Sequence, residues 1–488
     1  MSSWPIIYND DNKQIVGAIE QWVNALAQGA ATVEQIAEAS KIPVQSVIHA
    51  MSCFHFDVGE IYAALDILSK YKEPDVILQT QRIRCMMALP KEDKDAMYGA
   101  ARTLACEYLA QDASLKRTDF EGWDLNPERK IRIGFLCTYA YTPPALITLK
   151  PLLERLDRSK FSVRFFSFGM PVEWLKTFGE EYIHFNTRDE NAIYDEAIRQ
   201  KVDMLFDLTG VLRSDYPLTV FARRAAPVQV SWFNTCITSG VEEIQYFLFG
   251  KNFIPPEDFH YYSEEIVEVD GVTDTNYHLP EYPITPMPCA TNPHFTFGSF
   301  TALFKHNDDV LEQWAKIMKK APHTRLFLKA PHASWQRFLR RLAGILTKHG
   351  VDLSRVDFEE GTPFDDMMAK YAKVDLCLNT FSYGAGTTSG NALWMGIPTL
   401  TVPQSRYTAI LMESVGLPYF VARDDQDYIE KAVYFANKPD KLKEVRRTIR
   451  EKLKKTTHYN ADLFAPEFEK SCRRIWQHYC KTHAKEPV

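Results

Sequence analysis

Residues 374–403, VDLCLNTFSYGAGTTSGNALWMGIPTLTVP, hold the densest group of chemically useful side chains in the chain. An apolar strand ends at Asn379, Gly384 and Gly386 follow in a loop, and Thr387, Thr388, Ser389, Gly390 and Asn391 open a helix predicted to run to about Met395. Hydroxyl side chains at a helix start stand beside backbone N–H groups that have no intrahelical acceptor, and the helix dipole adds partial positive charge there. Such a terminus binds anions, phosphate above all. A plain helix capped by Ser or Thr would account for the same letters, but the neighbouring glycines let a ligand approach the backbone. Lys305 is the second candidate. It stands just beyond the apolar run FTFGSFTALF, where a parallel strand would deliver its ammonium to the ligand edge of a sheet, to hold a diphosphate. In isolation the same lysine reads as solvated surface. Asp207, ending the run VDMLFDLTG, is a candidate proton acceptor or, equally, a loop or capping carboxylate. His306 and His332 read as surface residues.

Other chemistries lack their residues. Gly134 is followed by FLCTYAYTPP rather than the spacing of a dinucleotide fingerprint, and the chain has no glycine-rich loop ending in Gly-Lys-Ser/Thr. The Asp-x-Asp matches, Asp93/Asp95 and Asp425/Asp427, fall in charged stretches read as helix surfaces, so no metal is expected. The nine cysteines are scattered without a Cys-x-x-Cys pair, which fits a reducing cytoplasm. No leader is apparent, and no apolar run approaches the ~20 residues of a spanning helix. A formal net charge of −6 gives no overall attraction to nucleic acid. The segment TVEQIAEASKIPVQSVIHAM has helix-turn-helix spacing, yet its second helix, from Pro43 to Met51, carries no Arg or Lys, so a stacked helical hairpin is the better account.

These groups need elements to hold them. With 488 residues, 45% of them hydrophobic, the chain can build more than one core. Residues 12–115 show helical spacing in IVGAIEQWVNAL, GEIYAALDILSKY and AMYGAARTLACEYLA. After Pro127 a charged link, NPERK, leads to IRIGFLC, and strands alternate with helices through FSVRFFSF, DENAIYDEAIRQ, VDMLFDLTG, PVQVSWF and IQYFLFG. The proline-rich YHLPEYPITPMPCATNP reads as a linker. A second α/β series follows, with strands FTFGSF, TRLFLKA, VDFEE, VDLCLNTF and PTLTV. The expected division is a helical domain over 1–128 for docking an acceptor or partner, α/β domains over 129–285 and 286–455, and a final helix in 456–488 that packs back.

Three ordered motifs, AAPVQVSWFNTCITSG, FTFGSFTALFKHNDDVLEQWAKIMKKAPHTRLFLKAP and GTTSGNALWMGIPTLTVP, resemble the O-GlcNAc transferase and SPINDLY-like glycosyltransferase family, which includes relatives of bacterial cytosolic N-glucosyltransferases. The likeness runs from about residue 130 to 455. It implies a GT-B fold: two Rossmann-like domains facing a cleft, here preceded by an all-α domain. It further implies an inverting, metal-independent glycosyltransferase that moves GlcNAc or glucose from a UDP-sugar to a protein Ser/Thr or Asn side chain, the UDP-sugar being co-substrate and no cofactor being required. By this resemblance Lys305 binds the diphosphate and stabilises the leaving group, with Thr387 and Thr388 assisting. Tyr383, Gly386 and Ser389 complete the phosphate loop, Asn391 stands at the ribose position where the family usually has aspartate, and Gly361, Thr362 and Pro363 match the base pocket. Gly386 replaces a histidine common in the family, and TYAYTPPALIT lacks another. Two further readings stay open: a non-catalytic partner subunit of a homologous transferase, and a GT-B transferase with a non-protein acceptor.

Overall fold

Short apolar runs rich in β-branched and aromatic residues bury both faces of a strand, and here they form two parallel sheets. The structure, a computed structural model, describes residues 13–71, 75–89, 93–109, 117, 119–137, 143–168, 171–211, 216–232, 236–270, 279–330, 335–381 and 384–483. The first sheet consists of β1 (Ile131–Cys137), β2 (Phe161–Phe168), β3 (Glu181–Phe185), β4 (Met204–Asp207), β5 (Val228–Trp232), β6 (Tyr246–Gly250) and β7 (Glu265–Val269). Their order is β3-β2-β1-β4-β5-β6-β7, and every pairing is parallel. The edge strands β3 and β7 have no counterpart in the sequence reading. Both are partly polar and half exposed, so they lack the apolar continuity of the buried strands.

Aromatic rings fill one face of this sheet. Phe206 lies 5.3 Å from Phe135 and 5.6 Å from Phe468, and Trp232 lies 5.0 Å from Phe468, between ring centroids. Phe468 belongs to the last helix, Ala461–His483, which adds Phe464, Cys472, Ile475 and Trp476 to the same core. The charged link is part of this unit: Arg129 grips Asp203 with two bonds of 2.7 Å, and Arg132 adds bonds of 3.0 and 2.7 Å. Asp203 is fully buried just ahead of β4, and these paired donors make that burial tolerable.

The second sheet contains β8 (Phe295–Ser299), β9 (Thr324–Ala330), β10 (Val356–Glu360), β11 (Leu376–Leu378) and β12 (Thr399–Leu400), ordered β10-β9-β8-β11-β12 and wholly parallel. Helices precede both sheets: Lys13–Ala27, Val33–Ser40, Val44–Asp57, Ile61–Ser69, Val76–Met87 and Lys94–Leu109. Thr32 and Gln35 close a capping box on the second of them, so the backbone of its first turn is satisfied locally. The would-be recognition helix Val44–Asp57 is largely interior, burying Val47, Ile48, Met51, Phe54 and Phe56. The chain forms two compact units. One holds the described residues up to Asp93 with Pro280–Lys454, and the other holds Lys94–Leu279 with the described residues from Lys455 on. The five helices before Asp93 therefore go with the second sheet, and Lys94–Leu109 with the first. Among the described residues no helix is long and apolar enough to cross a membrane.

Candidate functional site

In a doubly wound sheet, ligands bind at the carboxyl ends of the strands where the chain reverses its direction of winding. From β8 the second sheet grows one way through β9 and β10, and the other way through β11 and β12. The reversal therefore lies between β8 and β11, and the loops leaving these strands carry Lys305 and the Gly-Thr-Thr segment.

After β8 a short 3-10 turn, Leu303–Lys305, delivers a half-buried lysine whose Nζ donates to the Gly384 carbonyl at 2.8 Å. That carbonyl lies two residues before the helix Gly386–Trp394. Two candidates far apart in sequence thus meet at one helix start. The helix begins after Ala385, with no side-chain cap and no acidic residue in its first turn. Plain capping by Ser or Thr is accordingly not what these residues do, and the leading N–H groups keep the anion-binding character of an uncapped terminus. Gly386, Thr387 and Thr388 are partly exposed, whereas Ser389, Gly390 and Asn391 are buried.

The loop after β11 is held on several sides. Asn379 accepts the Ala385 N–H through Oδ1 at 3.1 Å and donates to Thr401 through Nδ2 at 2.9 Å, and its carbonyl accepts the Tyr428 hydroxyl at 2.9 Å. Thr408 Oγ1 donates to the Ala385 carbonyl at 3.1 Å and lies 3.0 Å from Ser389 Oγ. Ser389 thereby fastens the loop from inside. Ser405 donates to the Thr380 carbonyl, and a Cβ on Gly384 would come within 2.9 Å of the Ser405 Cβ. Only glycine fits that approach. From below, Tyr371 stacks on Phe300 with centroids 3.8 Å apart and donates to the Thr388 carbonyl at 3.1 Å. A loop fixed in this way would need little reorganisation if charge developed beside it.

The other predicted residues distribute unevenly. Gly361, Thr362 and Pro363 form an exposed loop between β10 and the helix Phe364–Lys370, on the same carboxyl edge of the sheet. Asn391 is 5% exposed, and its Oδ1 has no hydrogen-bond partner among the described residues, leaving an acceptor that a ligand hydroxyl would satisfy. Tyr383 and His332 lie outside the described residues. His306 is a correction: it is interior rather than surface, with Nε2 at 3.1 Å from Ser299 and 3.0 Å from Thr301, and burial with the nearby Arg341 pulls its pKa down to about 3. Its neutral ring packs the base of the lysine turn. Lys329 was missed by sequence reasoning. It is the penultimate residue of β9, is 3% exposed and donates to the Glu360 carbonyl at 2.5 Å, beside the 361–363 loop, and burial lowers its pKa. Its signal was the one that flagged Lys305, a lysine at the carboxyl end of an apolar strand.

Asp207 occupies the reversal point of the other sheet, at the end of β4 and next to β1. It is 1% exposed, and Oδ1 accepts the N–H groups of Thr209 at 2.8 Å and Gly210 at 3.1 Å. Burial pushes its pKa up to about 6 against the opposing pull of those amides and the Tyr216 hydroxyl. Through Oδ1 the carboxylate shapes its own turn.

The model of glycosyl transferase family 41 matches residues 289–468, a span that includes Lys305, the 361–363 loop and the helix Gly386–Trp394. A Petunia hybrida protein named as a probable UDP-N-acetylglucosamine–peptide N-acetylglucosaminyltransferase SPINDLY is 27% identical over 423 residues, covering 82% of this chain and 44% of the relative. One of the same name from Eustoma exaltatum subsp. russellianum is 30% identical over 299 residues, covering 60% of this chain and 32% of the relative. The chain is O-GlcNAc transferase- and SPINDLY-like. A mutant form of Thermobaculum terrenum O-GlcNAc transferase superposes with a TM-score of 0.81 at 24% identity, covering 93% of this chain and 88% of that one. That likeness shows the GT-B fold, with its two Rossmann-like units. The SPINDLY-like chain spans less than half the length of the curated relatives it matches.

Proposed function

We propose that the protein is an inverting, metal-independent glycosyltransferase that moves GlcNAc or glucose from a UDP-sugar to a protein Ser/Thr or Asn side chain. The carrying observation is the 2.8 Å contact that seats the Lys305 ammonium at the uncapped start of the helix Gly386–Trp394. Breaking the bond between the sugar and the diphosphate develops negative charge on the departing phosphate. A fixed ammonium and a helix terminus stabilise that charge without reorganising. Lys305 and the Thr387 and Thr388 groups bind the diphosphate, Asn391 accepts from a ribose hydroxyl, and the Gly361–Pro363 loop receives the base. The N-terminal residues 1–128 dock the acceptor polypeptide or a partner chain. The names of the Petunia and Eustoma relatives support UDP-GlcNAc as donor and peptide as acceptor.

Calorimetric titration with UDP and GDP in the presence of EDTA tests the reading. UDP is expected to bind, with Lys305→Ala weakening it about 100-fold, the loss typical of a charge-assisted diphosphate contact in a preorganised site. Wild-type protein that binds neither nucleotide would sink the proposal. The burial of Asp207 favours a second reading, a donor-binding partner subunit without turnover of its own. UDP released from UDP-GlcNAc or UDP-glucose by the purified chain, beyond the Lys305→Ala background, excludes it.

A further inference from the structure

The turn that carries Lys305 does not rest on its own sheet alone. Arg341, on the helix Trp335–Lys348, is 13% exposed at its side chain and reaches between two segments far apart in sequence. Its Nη1 donates to the Gly59 carbonyl at 2.8 Å and to Asp308 at 3.0 Å, and its Nη2 donates to the carbonyl of His306, the residue directly after Lys305. Gly59 joins the helices Val44–Asp57 and Ile61–Ser69 with φ of 79°, and a Cβ there would stand 2.6 Å from the His306 carbonyl and 3.0 Å from that of Leu303. Both the conformation and the space require glycine.

Further contacts gather at this corner. Phe56 stacks on Phe304 with centroids 4.7 Å apart, and the Lys305 Nζ stands 5.7 Å over the Phe304 ring. Asn307 Nδ2 donates to the Ala88 carbonyl at 3.2 Å. Glu60 takes Nε and Nη2 of Arg337 at 2.8–3.0 Å and pairs with His55 at 2.5 Å. The helical hairpin is therefore fastened on both sides of the lysine, at Phe304 and at His306.

We infer that Arg341 is a positioning residue for Lys305, clamping the lysine's turn onto the Gly59 corner of the N-terminal helical hairpin so that residues 44–69 form a structural part of the diphosphate site. This rests on the donor-site reading above. A guanidinium fork bonded to two backbone carbonyls sets the distance between them, and an aliphatic replacement keeps the packing but not that geometry. Because coupling between sites is reciprocal, a ligand on Lys305 also steadies the hairpin.

The experiment is UDP titration of full-length wild type, Lys305→Ala, Arg341→Met, Arg341→Lys and the double variant Lys305→Ala/Arg341→Met, with amide exchange followed over residues 53–69. Arg341→Met is expected to weaken UDP about 10-fold and Arg341→Lys to recover most of that. The double variant should bind within about twofold of Lys305→Ala, because a group that acts only through Lys305 has nothing left to position. UDP should slow exchange over residues 53–69 in wild type and not in Arg341→Met. Should Arg341→Met fail to fold, Phe56→Leu takes its place, with about a threefold loss expected. Wild-type affinity in the Arg341 and Phe56 variants, beside a weakened Lys305→Ala, overturns the inference and leaves the donor site standing. Fully additive losses in the double variant overturn it too. Wild type that binds no UDP removes the donor site and the clamp together.

Discussion

The two sheets reverse their winding in the same way and use the place differently. Between β8 and β11 a half-buried lysine faces an uncapped helix start through a backbone carbonyl. Beside β1, the end of β4 holds a carboxylate that is buried, turned onto its own loop and shifted toward its protonated form. Equal topology serves two different arrangements: one brings a lysine to a helix start, and the other turns a carboxylate oxygen onto its own loop. Substitutions at the first site should move nucleotide binding at nearly constant stability, and those around β4 should do the reverse.

The largest test of that division is Asp203→Ala. It strips a fully buried carboxylate from two arginines and should lower unfolding stability by about 3–5 kcal/mol. UDP affinity at low temperature should not change; a parallel loss of binding would merge the two regions. Lys305→Ala is the converse, about 100-fold weaker in UDP with a melting temperature close to wild type.

Asp207 sharpens the comparison through pH. Below its unfolded pKa the carboxyl is neutral in both states and contributes nothing. As pH rises from about 4 to 6 the unfolded chain ionises first, so folding stability is lost across that window and the cost is constant above it. With the folded value at about 6 against 3.8, the full cost is about 3 kcal/mol. Asp207→Asn should flatten that part of the denaturation profile while UDP binding persists; an unchanged profile would mean the carboxylate is solvated.

Gly384→Ala forces a Cβ against Ser405, and overpacking of this kind costs about 1–3 kcal/mol. Here the loss should appear in UDP affinity, because the displaced carbonyl is the one that holds Lys305. A variant that binds normally would show the loop to be adaptable. The smallest effect is expected for Thr387→Val, about 1 kcal/mol or several-fold in UDP affinity, with no change in melting.

Much of the architecture was legible because buried parallel strands carry unbroken apolar runs. The segments IRIGFLC, FSVRFFSF and FTFGSF appear as β1, β2 and β8. The strands that escaped, β3 and β7, are sheet edges with one polar face, and there the pattern weakens for the reason that edges face water. Lys305 and the Gly-Thr-Thr helix were legible as separate candidates from residue type and position. His306 was misread since a histidine next to a lysine looks solvent-facing, and nothing local announces Ser299 and Thr301 folding back to enclose it.

By itself the sequence determined two parallel α/β units and marked a glycine- and hydroxyl-rich helix start and a lysine as candidates, because strand periodicity, glycine spacing and side-chain charge are local properties. The tertiary structure alone decided which polar groups stay available. Asn379, Thr401, Thr408 and Ser405 converge on the 379–385 loop, Asp207 closes on its own turn, and Arg341 ties the lysine turn to Gly59. The Asp207 turn is local, and the other contacts depend on distances between residues apart in the chain, which are set when the sheets and helices pack.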